Sequence, residues 1–193
     1  MLHDLEKKKP DLRKKLLKPF LVDIDPNYVS LLAFFVAGAS GFFFYRDYIL
    51  LAGLLYFFNG FLDILDGQIA KEYDRTTEFG DFLDHTLDRL ADFAVYFGVA
   101  LNPAVPLWLG SLTVISILLV SYLGTQYQAI TQERLYGGLL GRSDRIILLL
   151  FFSLGTVFFS QSLYYGIWII FGLSIFTFFQ RLYYSVKGVR KLD

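Results

Sequence analysis

The chain has 193 residues, enough for one compact domain of average size, and 55% of them are hydrophobic and 19% aromatic, with a mean hydropathy of +0.48. Its 18 Lys and Arg balance 18 Asp and Glu, so net charge gives no sign of a nucleic-acid partner, and the lack of cysteine excludes disulfides and thiolate metal sites. A composition this apolar falls outside the ordinary soluble class and points to a lipid bilayer as the solvent.

The opening stretch, MLHDLEKKKPDLRKKLLKPF, stays charged past the point where the apolar core of a signal peptide should begin. Residues 1–24 read as a basic amphipathic helix lying on the membrane surface. Leu12, Leu16, Leu17 and Phe20 fall near one side, and Arg13, Lys14, Lys15 and Lys18 can reach anionic headgroups. A solvated charged tail is the plainer alternative.

A membrane-spanning helix needs about 20 mostly apolar residues. Six candidates follow, at residues 28–45, 48–70, 82–101, 107–124, 146–159 and 163–184. Asp25 or Asn27 can cap the first, and Pro26 suits its first turn. The links alternate. Arg46–Asp47, NPAVP and SQS are short and nearly uncharged, whereas 71–81 and 125–145 are long and charged. All Lys and Arg except Arg46 lie at or near the N-terminus, the two long links or the C-terminal end, which places both termini in the cytoplasm. The expectation is an all-α polytopic membrane protein: one domain over residues 1–193, a six-helix transmembrane core over residues 28–184 and an interfacial N-terminal helix. Apolar segments of this number and length cannot all be buried in a small soluble domain.

Between residues 63 and 92 the sequence reads DILDGQIAKEYDRTTEFGDFLDHTLDRLAD, with seven aspartates in an otherwise greasy chain. Asp63 and Asp66 are three apart near the cytoplasmic end of the second helix, and Asp84 and Asp88 are four apart at the start of the third. Either spacing keeps both carboxylates on one helical face. Carboxylates inside a membrane are costly and mark function, and four that converge repel one another unless a cation neutralises them. The only nearby imidazole is His85, so hard oxygen ligands suit Mg²⁺, Mn²⁺ or Ca²⁺ better than zinc. One or two divalent ions between helices two and three follow. Gly67 and Gly80 let backbone or a flat ligand come close, although helix packing alone would also account for them. Paired metals at the inner membrane face suit phosphoryl chemistry, with one partly desolvated carboxylate as base on a hydroxyl. A cation transporter or channel is the rival class, but transporter sites lie near the bilayer midplane, often with repeats, and no repeat is visible here.

The run Asp63-x2-Asp66-Gly67-x2-Ala70-Lys71-x8-Gly80-x3-Asp84-x3-Asp88 resembles the signature of the CDP-alcohol phosphotransferases, D-x2-D-G-x2-A-R-x8-G-x3-D-x3-D. Every spacing matches, as do seven of the eight fixed residues. The departure is Lys71, which keeps the charge of arginine and loses its bidentate fork. The resemblance implies Asp63, Asp66, Asp84 and Asp88 as ligands of Mg²⁺ or Mn²⁺, two ions in all, with Asp88 also the general base. It implies a nucleotide site of Asp66, Gly67, Ala70, Lys71, Gly80 and Asp84, a CDP-linked lipid as substrate, CMP as product, and a homodimer in the cell membrane with a cytoplasmic active site.

For the acceptor, Arg134, Arg142, Arg145 and Arg181 could form a pocket for a phosphorylated alcohol, or could be ordinary flanking charge. LDHTLDR looks more like the inositol-phosphate branch of the family than the glycerol-phosphate branch. Inositol phosphate is therefore the favoured acceptor and glycerol phosphate the alternative. Asp92 is expected to pair with Arg89 on the same helix, and His85 to touch either the acceptor or lipid headgroups.

Overall fold

The computed structural model describes residues 17–133, 135 and 138–190. Among them the regular elements are all helical: a short 3₁₀ turn, Lys18–Phe20, and six α-helices. These are α1 (Pro26–Tyr45), α2 (Ile49–Glu72), α3 (Glu78–Ala100), α4 (Leu107–Thr131), α5 (Arg142–Gly155) and α6 (Ser162–Val189). Residues 1–16 of the expected interfacial helix lie outside the described residues. The rest of that segment carries only the 3₁₀ turn, with Leu17 buried and Phe20, Val22 and Ile24 exposed.

Local chemistry sets the helix ends. The Asp25 carboxylate accepts from the Asn27 N–H at 2.9 Å, and Pro26 takes the first helical position, where its missing N–H costs nothing. α3 starts at Glu78, four residues before the apolar pattern, because the Thr77 hydroxyl accepts from the Gly80 N–H at 3.0 Å; Glu78 and Asp81 then complement the positive end of the helix. α4 runs past Gly124 to Thr131 and stops at Gln132, whose φ of 59° is left-handed. α5 starts at Arg142, with the Asp144 carboxylate accepting from the Gly141 N–H at 3.0 Å.

The main helix contacts close a ring: α1 on α2, α2 on α5, α5 on α6, α6 on α4, α4 on α3, and α3 back on α1. The α1–α3 seam is backbone against backbone. A methyl group added at Gly98 would overlap the Gly41 main chain, and one at Gly41 would overlap the Ala94 carbonyl. At the end far from the aspartates, Asn102 Nδ2 donates to the Phe44 carbonyl at 2.6 Å and to Asp47 Oδ1 at 3.0 Å, tying two turns together.

Four helices, α1, α2, α4 and α6, are long and apolar enough to cross a membrane. α3 is long, but its first half holds the acidic cluster. α5 has 14 residues, a length of about 21 Å against a hydrocarbon core of about 30 Å.

Candidate active site

The C-terminal half of α2 and the N-terminal half of α3 bring four carboxylates together. Asp63, Asp66 and Asp84 offer oxygens that all lie within 4.8 Å of one another, and Asp84, His85 and Asp88 form a second such group. A cavity of about 10 Å³ lies among Asp63, Asp66, Asp84 and Asp88, with Ser30 and Asn59 on its wall. That is about the space of one water-sized sphere, small enough for an ion and its ligands. Carboxylate and hydroxyl oxygens are the donors that hard divalent cations take, so the residues present fit Mg²⁺ or Mn²⁺.

The rest of the lining holds these carboxylates in place. Ser30 Oγ donates to Asp66 Oδ2 at 2.6 Å, and Asp66 is only 5% exposed. Asn59 Nδ2 donates to the Ala33 carbonyl at 2.9 Å, fixing α2 against α1 beside the cluster. From α5, Arg142 Nη1 reaches Asp63 Oδ1 at 2.6 Å and Asp88 Oδ1 at 2.5 Å, and its Nε lies 3.5 Å from Asp92 Oδ1. Below them Arg145 Nη2 meets Asp92 Oδ2 at 2.5 Å, and the Tyr56 hydroxyl donates to Asp92 Oδ1 at 2.9 Å. Tyr96 packs edge-on against Tyr56, with ring centroids 6.1 Å apart.

The expected pairing of Asp92 with Arg89 is therefore corrected. Arg89 Nη1 donates instead to the His85 carbonyl at 3.1 Å. Asp92 is 3% exposed and faces the ring interior, where its partners come from other helices: Arg145 and Arg142 of α5 and Tyr56 of α2.

A second cavity, of about 210 Å³, adjoins the carboxylates. Asp66 and Asp84 line both cavities, and Gly67, Ala70, Lys71 and Gly80 line the larger one with Asn27, Ser30, Arg75, Thr76, Thr77 and Asp81. The structure thus gathers all six residues assigned to the nucleotide on one wall system. A Cβ at Gly67 would meet nothing within 4 Å, so helix packing does not explain this glycine; it borders open space. At Gly80 a Cβ would lie 3.1 Å from Thr77 Oγ1, in the tight turn that starts α3.

Of the four arginines read as an acceptor pocket, Arg142 and Arg145 join the aspartates. Arg181 Nη1 donates to the Val120 carbonyl at 2.8 Å, placing it between α6 and α4. Arg134 lies outside the described residues. His85 faces a groove of about 580 Å³ shared with Arg89 and Thr125. Sequence reading missed Ser30, Asn59, Tyr56 and Arg75. The signal for the first two was a single polar residue inside an apolar run, as in YVSLL and FFNGF.

Six helices closed in a ring, four of them long and apolar enough to cross a membrane, with carboxylates converging between α2 and α3, define a helical membrane protein with a cluster of hard oxygen ligands suited to divalent cations. The sequence pattern of the CDP-alcohol phosphatidyltransferases matches residues 24–179, and the chain belongs to that family, whose members are integral to membranes. It is similar to the archaetidylinositol phosphate synthase of Pyrococcus horikoshii, with 33% identity over 85% of each chain. The corresponding synthase of Methanothermobacter thermautotrophicus is 32% identical over 91% of this chain and 96% of its own length. The crystal structure of Mycobacterium tuberculosis phosphatidylinositol phosphate synthase with CDP-DAG bound matches with a TM-score of 0.76 at 25% identity, covering 90% of this chain and 91% of that one.

Proposed function

We propose that the protein transfers the phosphatidyl-type group of a CDP-linked lipid to inositol phosphate and releases CMP. The observation that carries this reading is the shared wall: Asp66 and Asp84 border both the carboxylate cavity and the cavity lined by Gly67, Ala70, Lys71 and Gly80. A diphosphate seated in the larger cavity therefore lies beside the carboxylates. Similarity to the two archaetidylinositol phosphate synthases supports inositol phosphate over glycerol phosphate as acceptor.

Asp63, Asp66, Asp84 and Asp88 would hold two divalent cations, Mg²⁺ or Mn²⁺, which when bound neutralise the diphosphate charge. Ser30 keeps Asp66 turned toward the cavity. Asp88 takes the proton from the acceptor hydroxyl, and the freed oxygen attacks the lipid-side phosphorus. A new P–O bond forms there as the bond to the cytidylyl phosphate breaks, and CMP leaves with that electron pair. Gly67 and Gly80 leave room for the nucleotide, and Lys71 faces its phosphates. Arg142, Arg145, Arg181 and Arg134 remain the acceptor-side cations of this reading. Of these, Arg142 would lie nearest the carboxylates, since it bridges Asp63 and Asp88.

Six spans, both termini and the active site in the cytoplasm, and a homodimer complete the proposal. The test is purified protein in liposomes with a CDP-lipid, Mg²⁺ or Mn²⁺ and a panel of labelled alcohols. CMP release with inositol phosphate and not with glycerol phosphate is expected. Metal flux across the liposomes without CMP release from any acceptor would decide for a cation transporter instead.

A further inference from the structure

The wall of the larger cavity holds a cation outside the signature. α2 ends at Glu72, and Asp74 turns the chain with a left-handed φ of 51°. The Arg75 N–H then donates to the Ala70 carbonyl at 2.8 Å, which folds residue 75 back beside the last turn of the helix. Arg75 consequently lines the same cavity as Ala70 and Lys71. Its Nη2 lies 2.7 Å from Asp23 Oδ1, and its guanidinium carbon sits 5.9 Å from the Tyr73 ring centroid. Asp23 is not part of the cavity wall; it belongs to the segment that leads into α1.

We propose that Arg75 is a contact for the nucleotide diphosphate, and that Asp23 is the partner it rests on when the cavity holds no anion. The inference builds on the CDP-lipid reading above. The physical case has three parts. A diphosphate beside Asp66, Asp81 and Asp84 needs positive charge on the oxygens turned away from the metal-binding side. Lys71 presents a single ammonium there, whereas a guanidinium offers a planar fork that matches two phosphate oxygens at once. The Asp23–Arg75 pair is half exposed on both sides and so holds Arg75 only weakly, leaving it free to exchange a solvated carboxylate for a desolvated phosphate.

A purely structural clamp between residue 23 and the α2–α3 link would involve the same two side chains, and substitution separates the two roles. The measurements are CMP release by the full chain in liposomes, with separate KM values for CDP-diacylglycerol and inositol phosphate, and binding of soluble CDP with Mg²⁺ by calorimetry. Arg75→Ala should raise the KM for CDP-lipid about tenfold or more while leaving that for inositol phosphate within about twofold, as loss of a charge-assisted hydrogen bond predicts. Arg75→Lys should fall between, and Lys71→Arg should recover part of the loss in the Arg75→Ala background. Asp23→Asn should leave the KM for CDP-lipid unchanged or lower it. If Asp23→Asn and Arg75→Ala impair the enzyme alike, or if Arg75→Ala leaves CDP binding and this KM unchanged, the proposal is overturned. If the unaltered protein binds CDP but releases no CMP, the transfer reading fails and CDP binding by the variants still decides the role of Arg75. If the unaltered protein does not bind CDP, both fall.

Discussion

Asp63 and Asp66 on α2, and Asp84 and Asp88 on α3, are close enough for their oxygens to share one small cavity, yet they have different neighbours. Asp66 is buried against Ser30, whereas Asp88 meets Arg142. Asp88→Asn is expected to abolish CMP release and leave most Mn²⁺ binding in place, and Asp66→Asn to weaken Mn²⁺ binding itself; calorimetry and the transfer assay read the two effects separately. Wild-type turnover in Asp88→Asn would remove the base assignment. Gly67→Ala should weaken CDP binding with little change in thermal stability, because its Cβ would meet nothing within 4 Å. The aspartates were legible in the sequence because carboxylates in an apolar run have no other explanation. Ser30 and Tyr56 were not, since each finds its partner 36 residues away. Asp92 shows the same limit: a local arginine at i−3 was visible, and the real partner, 53 residues on, becomes a neighbour only when the ring closes.

At the level of elements, the number, order and approximate centres of the helices could be read from hydropathy, but several ends could not. Thr77 lengthens α3 into a stretch too charged to show in the apolar pattern, and α4 continues through residues 125–131, which read as a polar link. Helix contacts were also invisible, as nothing in a single sequence says that Gly41 faces Gly98. Gly98→Leu should force α1 and α3 apart and cost about 1–3 kcal/mol or more in stability. A fall in melting temperature in detergent would show it, whereas Gly38→Ala, where an added Cβ meets nothing, serves as the control. Arg145→Ala should be harsher, costing about 3–5 kcal/mol, because it removes the nearest counter-charge of the buried Asp92 and leaves it only the Tyr56 hydroxyl and the more distant Arg142. Replacing both partners, Arg145→Met with Asp92→Leu, should recover much of that loss in a thermal melt.

For the whole molecule, the alternation of charged and uncharged links supports six spans, and the chain offers a clean way to test it. With no native cysteine, single cysteines can report sidedness without background. Residues 74 and 188 should label with a membrane-impermeant maleimide from one side, and residues 47, 104 and 160 from the other. Labelling of all five from the same side would end the six-span arrangement. Chelation should abolish CMP release, with Mg²⁺ or Mn²⁺ restoring it, while the helical content stays unchanged, because the ring is closed by packing and not by the carboxylate centre.

The two arginines of α5 have one more consequence. Arg142 meets Asp88, and Arg145, three residues on, meets Asp92, four residues on, so α3 and α5 are joined by two rungs. A helix of 14 residues is too short for the bilayer to set its depth by hydrophobic matching. Sliding α5 by one turn, about 5.4 Å, would bring one arginine level with the other's carboxylate and strand a charge in the interior. The rungs therefore act as a depth gauge: they fix how far α5 stands along α3, and with it the level of the loop before Arg142 relative to the carboxylates.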